Sequence, residues 1–185
     1  MDAVQPNSVT PEAMLARIAA GDASAMRDFY ARFETTVLRY CTFKLNDPAA
    51  AADVLNEVML EVWRGAAWFQ GRSQVSTWLL GIAHHKLTDH LRRERRFQHD
   101  DLDPVTVDEQ VPVPAETVAA AQDRQRLERC LARLPQHQRE TVYFAFYQDL
   151  SYPEIAAIMD CPEGTVKTRV LHAKQALKRC LAERG

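Results

Sequence analysis

Residues 151–174, SYPEIAAIMDCPEGTVKTRVLHAK, constrain the fold more than any other stretch, because they hold two helix starts separated by a forced break. Ser151 and Glu154 have capping-box spacing: the hydroxyl accepts from the amide at 154, and the carboxylate reaches back to the amide of 151. Ile155, Ala156 and Met159 then form one apolar face. Pro162 disfavours helix at Cys161 and suits the first turn of a new helix, so Asp160-Cys161-Pro162 reads as a tight turn. From Glu163 onward Val166, Val170, Ala173, Leu177 and Leu181 recur at helical spacing. The opposite face carries Lys167, Thr168, Arg169, His172 and Lys174. A short helix, a turn and a longer helix with a basic polar face make a helix-turn-helix suited to a DNA major groove. Periodicity alone leaves open a solvated surface hairpin, since basic amphipathic helices are common.

The rest of the chain repeats the helical pattern without strand-like alternation. The spacing predicts a helix from Pro11, after Thr10, to near Gly21. A second runs from about Ser24 to Leu45, with Met26, Phe29, Phe33, Val37, Cys41 and Leu45 as its stripe. Asn46-Asp47-Pro48 reads as a stop followed by a capped start, opening a third helix to about Arg64 with Val54, Val58 and Val62 inward. Residues 65–73 read as a loop. A fourth helix runs from about Gln74 to Arg96, with Trp78, Ile82, Leu87 and Leu91 expected inward. Residues 97–116 hold three prolines, no glycine and no apolar period, which predicts an extended linker. Helical patterning resumes at Glu116, and Pro135 divides it from a helix carrying Val142, Tyr143, Phe146 and Tyr147. The predicted fold class is all-α: two small helical domains, residues 10–96 and 117–185, joined by an acidic linker over 97–116.

Charge supports that division. The formal net charge of −2 is unusual for a chain that binds phosphate. Residues 1–96, however, carry 12 Lys/Arg against 11 Asp/Glu, and residues 117–185 carry 11 against eight. Residues 97–116 carry no Lys or Arg against six acids, so the acidity is local and both flanks are mildly basic. No apolar run is long enough to span a membrane and the N-terminus lacks a secretory pattern, so a cytoplasmic protein without membrane insertion is expected. Cys41, Cys130, Cys161 and Cys180 show no metal-type spacing and are expected as four reduced, packed thiols, with a redox-sensing pair as the alternative.

LSYPEIAAIMDCPEGTVKTRVLHAKQAL resembles the C-terminal domain of extracytoplasmic-function (ECF) sigma factors, the bacterial subunits that direct RNA polymerase to promoters. DVLNEVMLEVWRGAAWF and STWLLGIAHHKLTDHLRRERR resemble that family's N-terminal domain, in the right order and at about the right distance. The resemblance implies partners: core RNA polymerase through its β′ clamp and β subunit, promoter DNA, and a cognate anti-sigma factor. It places polymerase docking on Asp53, Asn56, Glu57, Leu60 and Glu61. It places −10 recognition and melting on Phe69, Ser73, Gln74, Ser76, Thr77, His84, His85, Thr88, Arg92 and Arg93. A basic track tethers the backbone while a pocket holds a base that has left the stack. It places −35 recognition on Thr165, Lys167, Thr168, Arg169, Leu171, His172 and Lys174. Arg can bond guanine O6 and N7 together, and Leu171 can pack on a thymine methyl. Val75, His85 and His172 stand where the family usually carries an aromatic, Asn and Arg. The acidic linker is implied to thread the polymerase's active-centre and RNA-exit channel.

Two rival readings remain at this level. A free-standing helix-turn-helix regulator would use the C-terminal domain alone, and it has no need of the upstream docking and melting motifs. A metal-dependent enzyme would use HHKLTDH, where His85 and Asp89 are spaced i,i+4. His84 and His85, though, point about 100° apart on a helix, and no distant ligand set completes the site. No nucleotide-binding or hydrolase motif occurs. The expectation is therefore a non-enzymatic protein without cofactor or metal.

Overall fold

A computed structural model describes residues 9–97 and 118–183, with side chains placed for 9–94 and 120–183. The linker read over 97–116 lies almost wholly outside the described residues. The described chain is helical, with no strand, and divides into two compact units between residues 101 and 102.

Unit 1 contains α1 (Pro11–Ala19), α2 (Ala23–Leu45), α3 (Pro48–Gly65), a 3-10 turn (Ala66–Trp68) and α4 (Val75–Phe97). Its helix starts are fixed by side-chain caps. Thr10 Oγ1 accepts from the Ala13 amide at 3.2 Å, and Asp47 Oδ1 accepts from Ala49 and Ala50 at 2.9 and 3.2 Å. Asp22 Oδ1 takes the amides of Ser24 and Ala25 while Oδ2 takes Arg17 Nε, so α2 starts at Ala23 with Asp22 as its cap. These bonds, the Ala25 amide first and then Arg17, hold the Asp22 carboxyl below its ordinary range. Asn46 closes α2 in the left-handed region, with φ 53°, as the stop-then-start reading expects. The core is built from Phe29, Val37, Tyr40 and Cys41 of α2 with Val54, Val58 and Val62 of α3.

On α4 the inward stripe differs from the expected one. Val75, Leu79, Leu80, Ala83 and Leu87 are buried, whereas Trp78, Ile82 and Leu91 are half-buried. The two stripes share only Leu87, and the observed one starts three residues earlier, at Val75. The smaller side chains face the tight α2–α3 interior, and Trp78 lies at its edge with its ring 5.4 Å from Phe69.

Unit 2 contains α5 (Val118–Ala132), α6 (Gln136–Phe146), α7 (Tyr152–Ile158) and α8 (Glu163–Ala182). Leu134, Val142 and Ala173 form a buried cluster flanked by Leu131, Ala176 and Leu177. Phe144, Ile155, Ile158, Val166 and Val170 are buried as well. The capping box at the start of α7 forms: Glu154 Oε2 accepts from the Ser151 amide at 2.9 Å and from its hydroxyl at 2.6 Å. Asp160 takes φ 46° after α7, and the Cys161 amide donates back to the Ala156 carbonyl at 3.1 Å, which closes the turn before α8. Phe146 and Tyr147 leave the core at 58% and 66% exposure.

The thiols depart from expectation. Cys130 of α5 and Cys180 of α8 are joined by a disulfide across 50 residues of sequence, while Cys41 and Cys161 are free. Spacing rules see only local pairs, and this one is made by two helices that meet from opposite ends of the unit.

Candidate functional site

Three surfaces collect the residues singled out in the sequence. The first is the outward face of α3. Asp53, Asn56 and Leu60 are exposed, and Glu57 and Glu61 are half-buried beside them. Their i, i+3 and i+4 spacing makes one strip opposite Val54, Val58 and Val62. The strip is partly tied to its neighbours. Asn56 Oδ1 accepts from Tyr30 Oη at 3.3 Å, Glu61 Oε2 lies 2.9 Å from Lys86 Nζ, and Glu57 Oε2 lies 3.7 Å from Arg93 Nη2. The Lys86 hydrogen bond holds the Glu61 carboxyl below the ordinary carboxylate range. Trp63 and Trp68, at 39% and 73% exposure, extend the surface and escaped the sequence reading. Trp63 follows Leu60 by three residues, so helical spacing carries a signal for it.

The second surface is the loop before α4 and the helix that follows. Phe69 is half-buried on Trp78, and Ser73 and Gln74 are exposed. Gly71 turns the loop with φ +67°, a region in which a side chain is strained. Ser76 is half-buried, but Thr77 is only 3% exposed and faces the interior. His84 is also turned inward: its Nδ1 lies 2.9 Å from Tyr40 Oη. Thr88 Oγ1 donates to the His84 carbonyl at 2.8 Å and accepts from Lys44 Nζ at 3.4 Å. His85, Arg92 and Arg93 are exposed, with Arg92 Nη1 3.8 Å from Asp89. The side chains of Arg95 and Arg96 lie outside those described.

The third surface is α8. Thr165, Thr168, Arg169 and His172 make one strip and Lys167, Leu171 and Lys174 an adjacent one, both opposite buried Val166, Val170 and Ala173. Leu171 is 54% exposed. The Thr168 hydroxyl donates to the Gly164 carbonyl at 2.9 Å. Lys167 Nζ lies 2.8 Å from Glu163 Oε1, and that hydrogen bond raises the Lys167 pKa. Lys174 Nζ sits 5.2 Å from the Phe146 ring centroid. Arg169 does not project straight outward: its Nη1 lies 3.6 Å from Cys161 Sγ, folded back over the turn.

The described residues thus define a two-unit helical protein with a helix-turn-helix in its second unit. Comparison with known proteins narrows the class. Residues 29–97 match Sigma-70 region 2 and residues 124–177 match Sigma-70, region 4. ECF RNA polymerase sigma factor SigK of Mycobacterium tuberculosis (strain ATCC 25618 / H37Rv) is 30% identical over 178 residues, covering 92% of both chains. SigK of Mycolicibacterium vanbaalenii is 30% identical over 173 residues, 92% of this chain and 88% of that one. Among solved structures, CnrH in complex with the cytosolic domain of CnrY shares the fold at TM-score 0.66 and 20% identity, over 94% of this chain and 98% of that one. The sigma factor RpoE in complex with the anti-sigma factor NepR from Bartonella quintana shares it at TM-score 0.66 and 24% identity, over 85% and 99%. The chain belongs to the ECF RNA polymerase sigma factor family. It is an alternative sigma factor, which binds core RNA polymerase and directs promoter-specific transcription initiation. A free-standing regulator is not favoured, since the region 2 match accounts for residues 29–97.

Proposed function

We propose a division of this activity among the three surfaces. The α3 strip Asp53, Asn56, Glu57, Leu60 and Glu61 docks on the basic β′ clamp of core polymerase. The loop residues Phe69, Ser73 and Gln74 with Ser76 of α4 capture a base of the −10 element, without buried Thr77, while His84, His85, Thr88, Arg92 and Arg93 serve the adjoining DNA. Thr165, Lys167, Thr168, Arg169, Leu171, His172 and Lys174 of α8 enter the −35 major groove. The domains extend over residues 10–96 and 117–185, and the acidic segment 97–116 occupies the polymerase's RNA path as a polyanion. The chain is non-enzymatic and works in the cytoplasm, where polymerase and promoters are. A second partner, an anti-sigma factor, is proposed by likeness to RpoE, whose solved complex contains one.

The observation that carries this reading is the exposure of a polar strip on α8 directly after a closed helix-turn-helix turn, in a chain whose other unit presents a separate acidic and apolar strip on α3. A simple operator binder needs only the first. The test is to mix the full chain with core polymerase and promoter DNA and measure sequence-selective run-off transcription. Glu57→Lys should weaken core association with helicity retained. Failure of the native chain to bind core polymerase would overturn the proposal, and unchanged affinity in the variant would leave α3 as a solvated face only.

A further inference from the structure

Phe146 belongs to none of the three surfaces as assigned, yet its ring stands against one of them. It is the last residue of α6, and the chain beyond it is closed by main-chain bonds. The amides of Tyr147 and Gln148 donate to the Tyr143 carbonyl at 2.9 and 3.2 Å, and the Leu150 amide donates to the Phe144 carbonyl at 3.1 Å. Asp149 takes φ 51° to make that turn. The Tyr147 ring stacks on Tyr143 with centroids 5.7 Å apart, and Gln148 Nε2 donates to Tyr143 Oη at 2.9 Å. The end of α6 is thus held by its own backbone and by neighbouring side chains. The Phe146 side chain takes no part in these contacts and is more than half exposed.

Packing brings that ring to α8. Val142, one turn before Phe146 on the same face of α6, is buried in one cluster with Ala173 of α8. Lys174 follows Ala173, and its Nζ stands 5.2 Å from the Phe146 ring centroid, within cation–π range. Two lysines of the α8 surface are therefore committed differently. Lys167 Nζ is 2.8 Å from Glu163 Oε1, whereas Lys174 has no carboxylate partner among the described residues. A carboxylate cancels the ammonium's charge and has to be displaced by an incoming phosphate. An aromatic face attracts the cation through the ring quadrupole, leaves its charge uncancelled and covers only one side of it. Holding a long lysine side chain in place also lowers the rotamer freedom that it loses on binding.

We propose that Phe146 is a positioning residue for promoter binding: its ring holds the Lys174 ammonium beside α8, ready for a phosphate of the −35 duplex. This role rests on the reading of α8 as the helix that enters the −35 groove. A phosphate contact adds affinity without sequence information, so Phe146 sets the strength and salt dependence of binding and leaves the choice of bases to other residues of α8. An apolar residue of similar size covers the same surface, but only an aromatic ring presents the negative face that attracts the cation.

The experiment binds the full chain to core polymerase and measures affinity for a labelled duplex of a promoter that this holoenzyme transcribes, over a salt series. The same duplex with a scrambled −35 element is measured beside it. Lys174→Gln should weaken binding to both duplexes by a similar factor and lower the slope of log affinity against log salt by about 1. Phe146→Leu should cost roughly two- to fivefold in affinity, the size of an exposed cation–π pair, whereas Phe146→Tyr and Phe146→Trp should keep the native value. In the Lys174→Gln background Phe146→Leu should have no further effect, an outcome that a purely structural role would not produce. Equal losses from Phe146→Leu in the two backgrounds overturn the proposal, as does a native affinity in Phe146→Leu or a loss in Phe146→Tyr as large as in Phe146→Leu. Unchanged affinity in Lys174→Gln, with a loss in Arg169→Ala, overturns the role of Phe146 alone; unchanged affinity in both overturns the reading of α8 with it. Thermal unfolding of each variant verifies the fold, and should Phe146→Leu not fold, Phe146→Met makes the same comparison.

Discussion

Single residues show how burial and partners set chemical behaviour. Cys41 is fully buried in unit 1, and desolvation pushes its thiol up from 9.0 to about 12. Cys161 is free and half-buried beside Arg169. Native protein treated with a maleimide should therefore label at Cys161 well before Cys41. The same shift carries a pH dependence. A thiol whose folded pKa is raised contributes stability fully below the unfolded value, and that contribution is lost as pH rises from about 9 to about 12, so unit 1 should destabilise across that window. A melt in which stability is flat across it would contradict the buried setting of Cys41. Arg169 poses a second residue-scale question, since its guanidinium is folded over the turn. Swinging out to a guanine edge, it should contribute about 1–3 kcal/mol on a matched −35 duplex, lost in Arg169→Ala and largely absent on mismatched DNA. Equal losses on both duplexes would reassign it to the phosphate backbone.

At the scale of elements, short helices depend most on their ends. α7 spans only Tyr152–Ile158, too short to be stable by propensity, so its box at Ser151 and its left-handed exit at Asp160 contribute a large share of its order. Glu154→Ala removes the acceptor for the Ser151 amide and hydroxyl together. The expected cost is about 0.5–2 kcal/mol of unit 2 stability, read by denaturant unfolding. A variant with an unchanged unfolding midpoint would mean that packing of Ile155 and Ile158 alone holds the helix. α3 and α4 are longer and depend less on their ends, and their partly exposed ion pairs, Glu61–Lys86 and Glu57–Arg93, orient neighbouring charges while adding little to stability.

At the scale of the whole molecule, two units with separate cores imply separable failures. Phe69→Ala with Ser73→Ala alters the loop of unit 1 and leaves the sequence of unit 2 unchanged. Promoter opening, measured by permanganate reactivity of −10 thymines, should fall with little change in −35 protection. A duplex already mismatched across −10 should rescue opening only in part, because it lowers the cost of strand separation without restoring a base pocket. Unchanged opening on ordinary duplex would place the pocket elsewhere.

The sequence by itself determined what rests on local rules. Pro48, Pro162, Asn46 and the Ser151–Glu154 pair set helix ends, and the valine stripe of α3 and the Val166–Val170–Ala173 face of α8 set which sides turn inward. Each depends on neighbours within about one or two helical turns, which a reader of the chain can see. Only the tertiary structure decided what depends on elements meeting. The inward face of α4 shifted because the α2–α3 interior admits Leu79 and Ala83 and leaves Trp78 at the edge. His84 and Thr77 turned away from solvent, and Glu57 and Glu61 found α4 cations as partners. The Cys130–Cys180 bond belongs to the same group. Helical periodicity gives a direction around one axis, but only packing fixes which second axis lies there and how much space it leaves.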